Sequence, residues 1–293
     1  MNKEINNFIQ VKAPAKVNLY LHVTGLRDNG FHELDSLVVF AESHDLITFR
    51  PGSGITFSLS GPMSHILKKT NNDNIVLKAA RALAKRVGTD RVRGVEIQLE
   101  KFLPVAAGIG GGSADAAATL KGLSKFWEVD IDKQEIMEIA RSLGADVPVC
   151  FEGRSAFFSG IGENITPISN FPELSILLVN PGVEILTSRI FNERKGPYNE
   201  MERLKKIPKE KKNFFLEIKK RRNDLEPVAC SIAPIIKQVL ESISSNFGCR
   251  IARMSGSGST CFGLFDDITY ARKAALEVKH ANPDWWVVAG KTR

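Results

Sequence analysis

The sequence predicts an α+β protein, and three observations carry that expectation. Segments with apolar residues at every second position are interspersed with segments whose apolar residues recur at helical spacing. Two strand pairs flank short glycine-rich turns, Pro51-Gly52-Ser53-Gly54 and Gly160-Ile161-Gly162, as hairpins do. Helices do not alternate regularly with strands, so mixed layers are expected rather than a doubly wound parallel sheet.

The elements follow in order. Val17, Leu19, Leu21 and Val23 alternate with Asn18, Tyr20 and His22, which predicts a strand with one polar face. Lys16 and Asn18 stand two apart and share a face. A turn-rich loop, Gly25 to His32, precedes a strand at Leu34 to Phe40. Asp45 to Arg50 and Ile55 to Leu59 read as a hairpin. Asn71-Asn72-Asp73-Asn74 supplies cap chemistry for a helix from about Ile75 to Val87, which Gly88 stops. Val95 to Leu99 alternates as a strand, and an alanine-rich helix is expected from Ser113 to about Phe126. Asp132 and Glu135 open a helix over Lys133 to Leu143. Asp146 then lies in a turn before an apolar strand. Arg154 to Phe158 and Asn164 to Ile168 form the second hairpin, and Leu174 to Val179 is a strand. Helical patterns follow at Ser188 to Arg194, in the basic region and at Ile235 to Ser244. A strand (Arg250 to Met254), the turn Ser255 to Ser259, a strand (Thr260 to Phe265), a helix (Thr269 to His280) and a strand (Trp285 to Val288) close the chain. Two domains are expected, 1–165 and 166–293, with no internal repeat.

Size and composition narrow the class. With 293 residues, 43% hydrophobic and 25% charged, the chain reads as a globular protein with a sizeable core. No apolar run reaches the roughly 20 residues of a membrane helix, and Met1 to Gln10 lacks a signal pattern. Cys150, Cys230, Cys249 and Cys261 are widely spaced, which fits a reducing, cytoplasmic setting rather than a zinc site or disulfide framework. The net charge is +7, and Lys205 to Arg222 holds nine Lys or Arg against Glu210 and Glu217. This stretch reads as a solvated helical face. Without a nucleic-acid motif beside it, neither nucleic acid nor membrane is an expected partner.

The most informative stretch is Leu103 to Leu120, LPVAAGIGGGSADAAATL. It joins a strand to a helix through Gly108, Gly110, Gly111, Gly112 and Ser113. Glycine lets a ligand approach the backbone, and the first amides of a helix point outward at its positive dipole end. The combination is an anion site suited to phosphate; a simple glycine turn is the alternative. No lysine follows in the Walker position, and the sixth residue counted from Gly108 is Ser113, so the dinucleotide fingerprint is not met. Ser255-Gly256-Ser257-Gly258-Ser259 is a second such loop, readable as a tight turn or as a phosphate contact.

The run Pro104 to Ala114 resembles the nucleotide loop of the GHMP kinase superfamily. Pro14-Ala15-Lys16-Val17-Asn18-Leu19 with Gly30-Phe31-His32, Leu143-Gly144-Ala145-Asp146-Val147-Pro148, Asn223-Asp224-Leu225-Glu226-Pro227 and Ser255 to Gly258 extend the resemblance over nearly the whole chain. They are similar to the branch that phosphorylates diphosphocytidyl methylerythritol in non-mevalonate isoprenoid synthesis. The resemblance implies a two-lobed fold, an N-terminal ATP-binding lobe and a C-terminal ferredoxin-like lobe, using ATP and Mg²⁺ and acting as a monomer or weak homodimer. It implies Asp146 and Lys16 as the catalytic pair. ATP would meet Asn74, Lys101 and the loop Pro104, Val105, Ala106, Ala107, Gly108, Ile109, Gly110, Gly111, Gly112, Ser113 and Ala114. The cytidyl substrate would meet Asn18, Phe31, His32, Thr187, Phe191, Gly256 and Gly258, with Phe31 and Phe191 stacking on the base. The metal ligands are not assignable from spacing. Ala106 and Ala107 stand where some members carry glycine, and tolerance is expected there; Phe31 stands where others carry tyrosine. A homoserine or mevalonate kinase and a non-catalytic nucleotide sensor are the other readings; Gly30-Phe31-His32 and Lys16 count against the first, and the retained Asp146 and Lys16 against the second.

Overall fold

A computed structural model describes residues 8–67 and 74–293. The order is β1 (Ile9–Leu26), β2 (His32–Pro51), β3 (Ile55–Ser60), α1 (Ser64–Leu67), α2 (Ile75–Val87), β4 (Val95–Glu100), α3 (Gly111–Phe126), α4 (Lys133–Leu143), α5 (Val147–Glu152), β5 (Ala156–Gly160), β6 (Asn164–Pro167) and β7 (Ser175–Asn180). Then come α6 (Thr187–Glu193), α7 (Lys211–Lys219), α8 (Glu226–Ile232), α9 (Ile235–Ser244), β8 (Cys249–Met254), β9 (Cys261–Phe265), α10 (Ile268–Ala281) and β10 (Trp286–Lys291). The described chain forms two compact units. Unit 1 comprises Met1–Pro14, His44–Val105 and Gly111–Phe151; unit 2 comprises Ala15–Ser43, Ala106–Gly110 and Glu152–Arg293.

In unit 1, β4 runs antiparallel to the end of β2, with Leu46 opposite Glu100, and parallel to β3, with Ile55 opposite Val95. The expected β2–β3 hairpin is therefore not formed, because β4 takes the place between them. The turn residues explain the difference. Gly52 donates its N–H to the Gly94 carbonyl and Val95 donates to that of Gly54, so the glycine turn meets the start of β4. A Cβ on Gly94 would lie 2.0 Å from the Gly52 oxygen, an approach only glycine permits. α2 and α3 pack together beside the sheet, with Val76, Ala80 and Leu83 of α2 buried. Gly122 of α3 lies against the ring of Phe49, where a Cβ would come within 2.1 Å. Asn74 caps α2 through its side-chain oxygen and the Val76 N–H; the other cap candidates, residues 71–73, lie outside the described residues. Asp132 caps α4 as expected. The apolar strand expected after Asp146 is instead the short helix α5, whose Cys150 N–H donates to the Asp146 carbonyl.

In unit 2, β7 to β10 form an antiparallel sheet in the order β10-β7-β9-β8. With α9 and α10 as its two helices and α6 to α8 inserted after β7, the path is strand, helix, strand, strand, helix, strand, the ferredoxin-like arrangement. α9 and α10 pack on it, burying Ile236, Val239, Ile243, Ala271, Ala274 and Val278 against Leu177, Val179 and Phe265. β5 pairs antiparallel with the first half of β2 and with β6, giving the expected second hairpin. The single polar face expected for β1 is absent: Asn18, Tyr20 and His22 are as buried as Leu19 and Leu21. The basic stretch bears Lys211, Lys212, Lys219 and Lys220 outward while α7 buries Phe214, Phe215 and Ile218. It is a solvated face over an apolar one, as the sequence predicts.

Replacement of Gly94 by alanine is expected to destabilise the protein by about 1–3 kcal/mol, the usual cost of forcing atoms into a filled space. Urea unfolding measures it; an unchanged midpoint would mean that the Gly52–Gly94 contact does not set the β3–β4 pairing.

Candidate active site

The glycine loop is shared between the units, and each part has its own setting. In unit 1, α3 starts at Gly111, two residues earlier than expected, so Gly111, Gly112, Ser113 and Ala114 form its first turn. That turn carries no acidic residue, leaving its positive dipole end uncompensated. Gly112 is exposed, and among the described residues a Cβ there would meet only Ile75 Cγ2, at 3.9 Å.

Lys101 is not a mobile phosphate hook. It is 2% exposed, and its ammonium donates to Asp45 Oδ2 at 2.5 Å and to Asp115 Oδ2 at 2.7 Å. Asp45 Oδ1 also accepts from the Phe102 and Leu103 amides. A Cβ on Gly111 would lie 3.3 Å from Lys101 Nζ, so the charge cluster sits directly behind the helix start. Burial opposes the charge on Lys101, but Asp115 and Asp45 outweigh it and hold its pKa above the ordinary lysine value. Sequence reasoning missed Asp45 and Asp115. The available signal was a lone carboxylate in the alanine run Ala114-Asp115-Ala116-Ala117-Ala118, where a buried acid needs a partner.

In unit 2, residues 106–110 lie against both β1 and the second glycine loop. Lys16 donates its backbone N–H to the Ile109 carbonyl at 2.9 Å. Ser255 Oγ donates to the Gly108 carbonyl and accepts from the Asn18 N–H. Asn18 Nδ2 donates to Ser36 Oγ at 2.8 Å. A Cβ on Gly108 would lie 2.4 Å from the Ser255 oxygen, and one on Gly256 2.7 Å from the Gly108 oxygen. Both residues have positive φ, +72° and +55°. These glycines, predicted separately as ligand contacts, thus first allow two loops to touch. Ala106 adopts φ +49°, the left-handed region where an L side chain is strained, so the alanine in place of glycine carries a local cost of about 1 kcal/mol.

Asn223 Nδ2 donates to the Met254 and Gly256 carbonyls, and Asp224 Oδ2 accepts from the Val23 N–H. The Asn223–Pro227 motif is therefore a clamp between β1 and the second loop. Thr187 and Ser257 pair through their hydroxyls at 2.8 Å. The Lys16 side chain, 3% exposed, places Nζ 5.8 Å from the Phe158 ring centre. Phe191 stacks on His32, ring centres 4.9 Å apart, whereas Phe31 is exposed. Burial, then the nearby Arg194 charge, lowers the His32 pKa, so the ring is neutral at pH 7 and can both donate and accept. Asp146 is half-buried at the head of α5 in unit 1; Lys16 belongs to unit 2.

Comparison with known proteins fits these features. The GHMP kinases N terminal domain matches residues 74–154, and the GHMP kinases C terminal domain matches residues 213–284. The 4-diphosphocytidyl-2-C-methyl-D-erythritol kinase of Paramagnetospirillum magneticum is 45% identical over 277 residues, 94% of this chain and 96% of its own. The chain belongs to the 4-diphosphocytidyl-2-C-methyl-D-erythritol kinase family of GHMP kinases. The Rhodospirillum rubrum kinase of that name is 44% identical, covering 95% of this chain and 91% of its own. A crystal structure of a 4-(cytidine 5'-diphospho)-2C-methyl-D-erythritol kinase matches with a TM-score of 0.81 at 30% identity, over 97% of this chain and 99% of that one. Homoserine kinase from Cytophaga hutchinsonii shares the fold, with a TM-score of 0.72 at 17% identity over 100% and 96% of the two chains. The kinase family membership makes the motif-matched residues, rather than the glycine loop alone, the frame for its site.

Lys101→Met is expected to destabilise this kinase by about 3–5 kcal/mol, because the buried carboxyl groups of Asp45 and Asp115 lose the ammonium that both bind. The loss should shrink as pH falls, because a protonated Asp115 needs no counter-charge. Thermal unfolding from pH 5 to pH 8 reads it; a pH-independent loss would leave only a packing role for Lys101.

Proposed function

We propose that the kinase transfers the γ-phosphoryl group of ATP to a hydroxyl of 4-diphosphocytidyl-2-C-methyl-D-erythritol, in the non-mevalonate route to isoprenoid precursors, with Lys16 and Asp146 as its catalytic pair. The observation that carries the nucleotide part is the glycine-fronted first turn of α3, free of acid and backed by a buried ammonium. Such a turn can take phosphate oxygens on its amides, with Ser113 Oγ as a further donor. The division of labour between residues 1–165, holding the nucleotide, and 166–293 belongs to the same proposal, as does a cytoplasmic setting.

Phosphoryl transfer asks the protein mainly for positioning and charge stabilisation. Asp146 would orient the substrate hydroxyl and accept its proton as the oxygen attacks the γ-phosphorus. Lys16 would neutralise charge on the transferred oxygens. Magnesium neutralises phosphate charge in such reactions. Among the described residues no group of three or more His, Cys, Asp or Glu is placed to hold a metal ion, and Asp45 and Asp115 are already engaged with Lys101. Mg²⁺ is assigned to the nucleotide's phosphates, in line with its habit of binding through few protein oxygens.

For the cytidyl end, neutral His32 can face both donors and acceptors on a cytosine edge. The Phe191 ring, stacked on His32, and the exposed Phe31 supply apolar faces for the base. Thr187 and the loop with Gly256 and Gly258 would contact the remainder of the substrate.

Asp146→Asn is expected to lower kcat by at least about 100-fold, the scale of general acid–base catalysis, with the KM for the cytidyl substrate within a few-fold of the parent. Lys16→Ala should act alike, and the double variant should lose far less than the product of the two. Steady-state kinetics with ATP and the cytidyl alcohol test this; near-parental turnover in Asp146→Asn would end the assignment.

Phe191→Ala is expected to raise the KM for the cytidyl substrate about 10-fold, from roughly 1–3 kcal/mol of base stacking, and to leave the KM for ATP unchanged. Equal effects on both substrates would mark Phe191 as a packing residue for His32.

A further inference from the structure

The cluster behind the α3 turn holds one cation between two acids, so full ionisation would leave a net negative charge inside unit 1. The two acids are not equivalent. Asp45 has donors on both oxygens: Lys101 on Oδ2 at 2.5 Å, and the Phe102 and Leu103 amides on Oδ1 at 2.6 and 2.8 Å. Asp115 has Lys101 on Oδ2 at 2.7 Å, while its Oδ1 is buried without a hydrogen-bond partner among the described residues. Donors favour an ionised carboxylate, and burial without them favours the acid. Asp115 is therefore the acid of the two that is placed to hold a proton. Asp115 follows immediately after the first turn of α3, and Lys101 Nζ lies 3.3 Å from where a Gly111 Cβ would be. The charge of this cluster is thus felt where phosphate would bind.

We propose that Asp115 is a positioning residue that stays protonated, so that the Asp45–Lys101–Asp115 cluster carries no net charge behind the phosphate-binding turn, and that its ionisation weakens triphosphate binding. The proposal rests on the reading of the α3 turn as the nucleotide site. Burial, the largest influence, raises the Asp115 pKa to about 8, with Lys101 pulling it down and Asp45 pushing it further up. Lys101, from the end of β4, and Asp45, from β2, are the charged groups acting on it. The residues that α2 and α4 bury as they pack against α3 are all apolar. The consequence has a sign. Below that pKa the turn sees Lys101 balanced by Asp45; above it a second anion stands behind the phosphates and repels them.

The test uses the full chain and ATP. Carbon-13 carboxyl NMR of the apo protein should show one aspartate titrating near pH 8, missing in Asp115→Asn. Calorimetry should show an ATP dissociation constant steady from pH 6.5 to 7.5 that rises about 10-fold by pH 9.5, as one like charge close by would produce. A terminal phosphate with a second pKa of about 6 is already ionised over that range, so the ligand does not supply the change. Asp115→Asn keeps the shape without the charge and should bind ATP at pH 7 within about threefold of the parent, with a flat profile above it. The parent titration alone decides the matter should that variant not fold. No aspartate titrating above pH 6, or a flat ATP profile in the parent, overturns the proposal. An affinity that grows with pH also overturns it, since Asp115 would then be holding a cation. Gly112→Val separates this from the underlying reading: it fits the unit and crowds the turn, so undiminished ATP affinity there would remove the nucleotide site itself.

Discussion

The Lys101 ammonium, closed between Asp45 and Asp115, is the interaction on which the start of α3 depends. It ties three segments far apart in sequence: the middle of β2, the chain leaving β4 and the second turn of α3. None of the three groups is more than 2% exposed. A buried ion pair is a poor source of net stability, because desolvating the charges offsets most of their attraction. Its value lies in direction. Lys101 can satisfy both acids only if β4 ends beside α3, and that fixes where the glycine turn points. A helix start that presents amides to phosphate, as proposed for α3, would gain from such a rigid support, since catalysis by positioning tolerates little movement.

Unit 2 solves a related problem without charge. Residues 106–110, β1 and the loop 255–258 meet backbone to backbone, through Lys16, Ile109, Asn18, Ser255 and Gly108. Asn223 and Asp224 close the arrangement from the far side. Glycine at 108 and 256 removes the side chains that would hold these strands of backbone apart. The motifs that identify the family are therefore of two kinds. Some, such as Lys16, Asp146 and His32, carry the functional groups that the proposed reaction would use. Others, such as Asn223 and Gly108, hold the first kind in place.

The same distinction explains what could be read from the residues. Element types followed from period and caps: α2, α4, α9 and α10, and β7 to β10, lie close to their expected spans because each has a local signal, such as Asp132 at the start of α4. The glycine loop announced an anion site, and the P-A-K-x-N-L and L-G-A-D-V-P runs announced the family. What local pattern could not supply was pairing. Ile55 to Leu59 alternates equally well beside β2 or β4, and the parallel choice depends on Gly94 meeting Gly52 across an intervening helix.

The sequence by itself determined the α+β class, most element positions, the family and the residue types available for phosphoryl transfer, because these depend on periodicity and on short contiguous motifs. Tertiary structure decided the strand order in unit 1, the helical form of residues 147–152, the burial of both faces of β1, and the conversion of Lys101 from an expected phosphate contact into the centre of an ion cluster. The helix at 147–152 apart, each of those is a contact between residues many positions apart. A hydrogen bond from Lys101 to Asp45 spans 56 residues and one from Asn18 to Ser255 spans 237. Chain-local physics is silent about such pairs, because the free energy that selects them appears only when burial removes water from both partners at once.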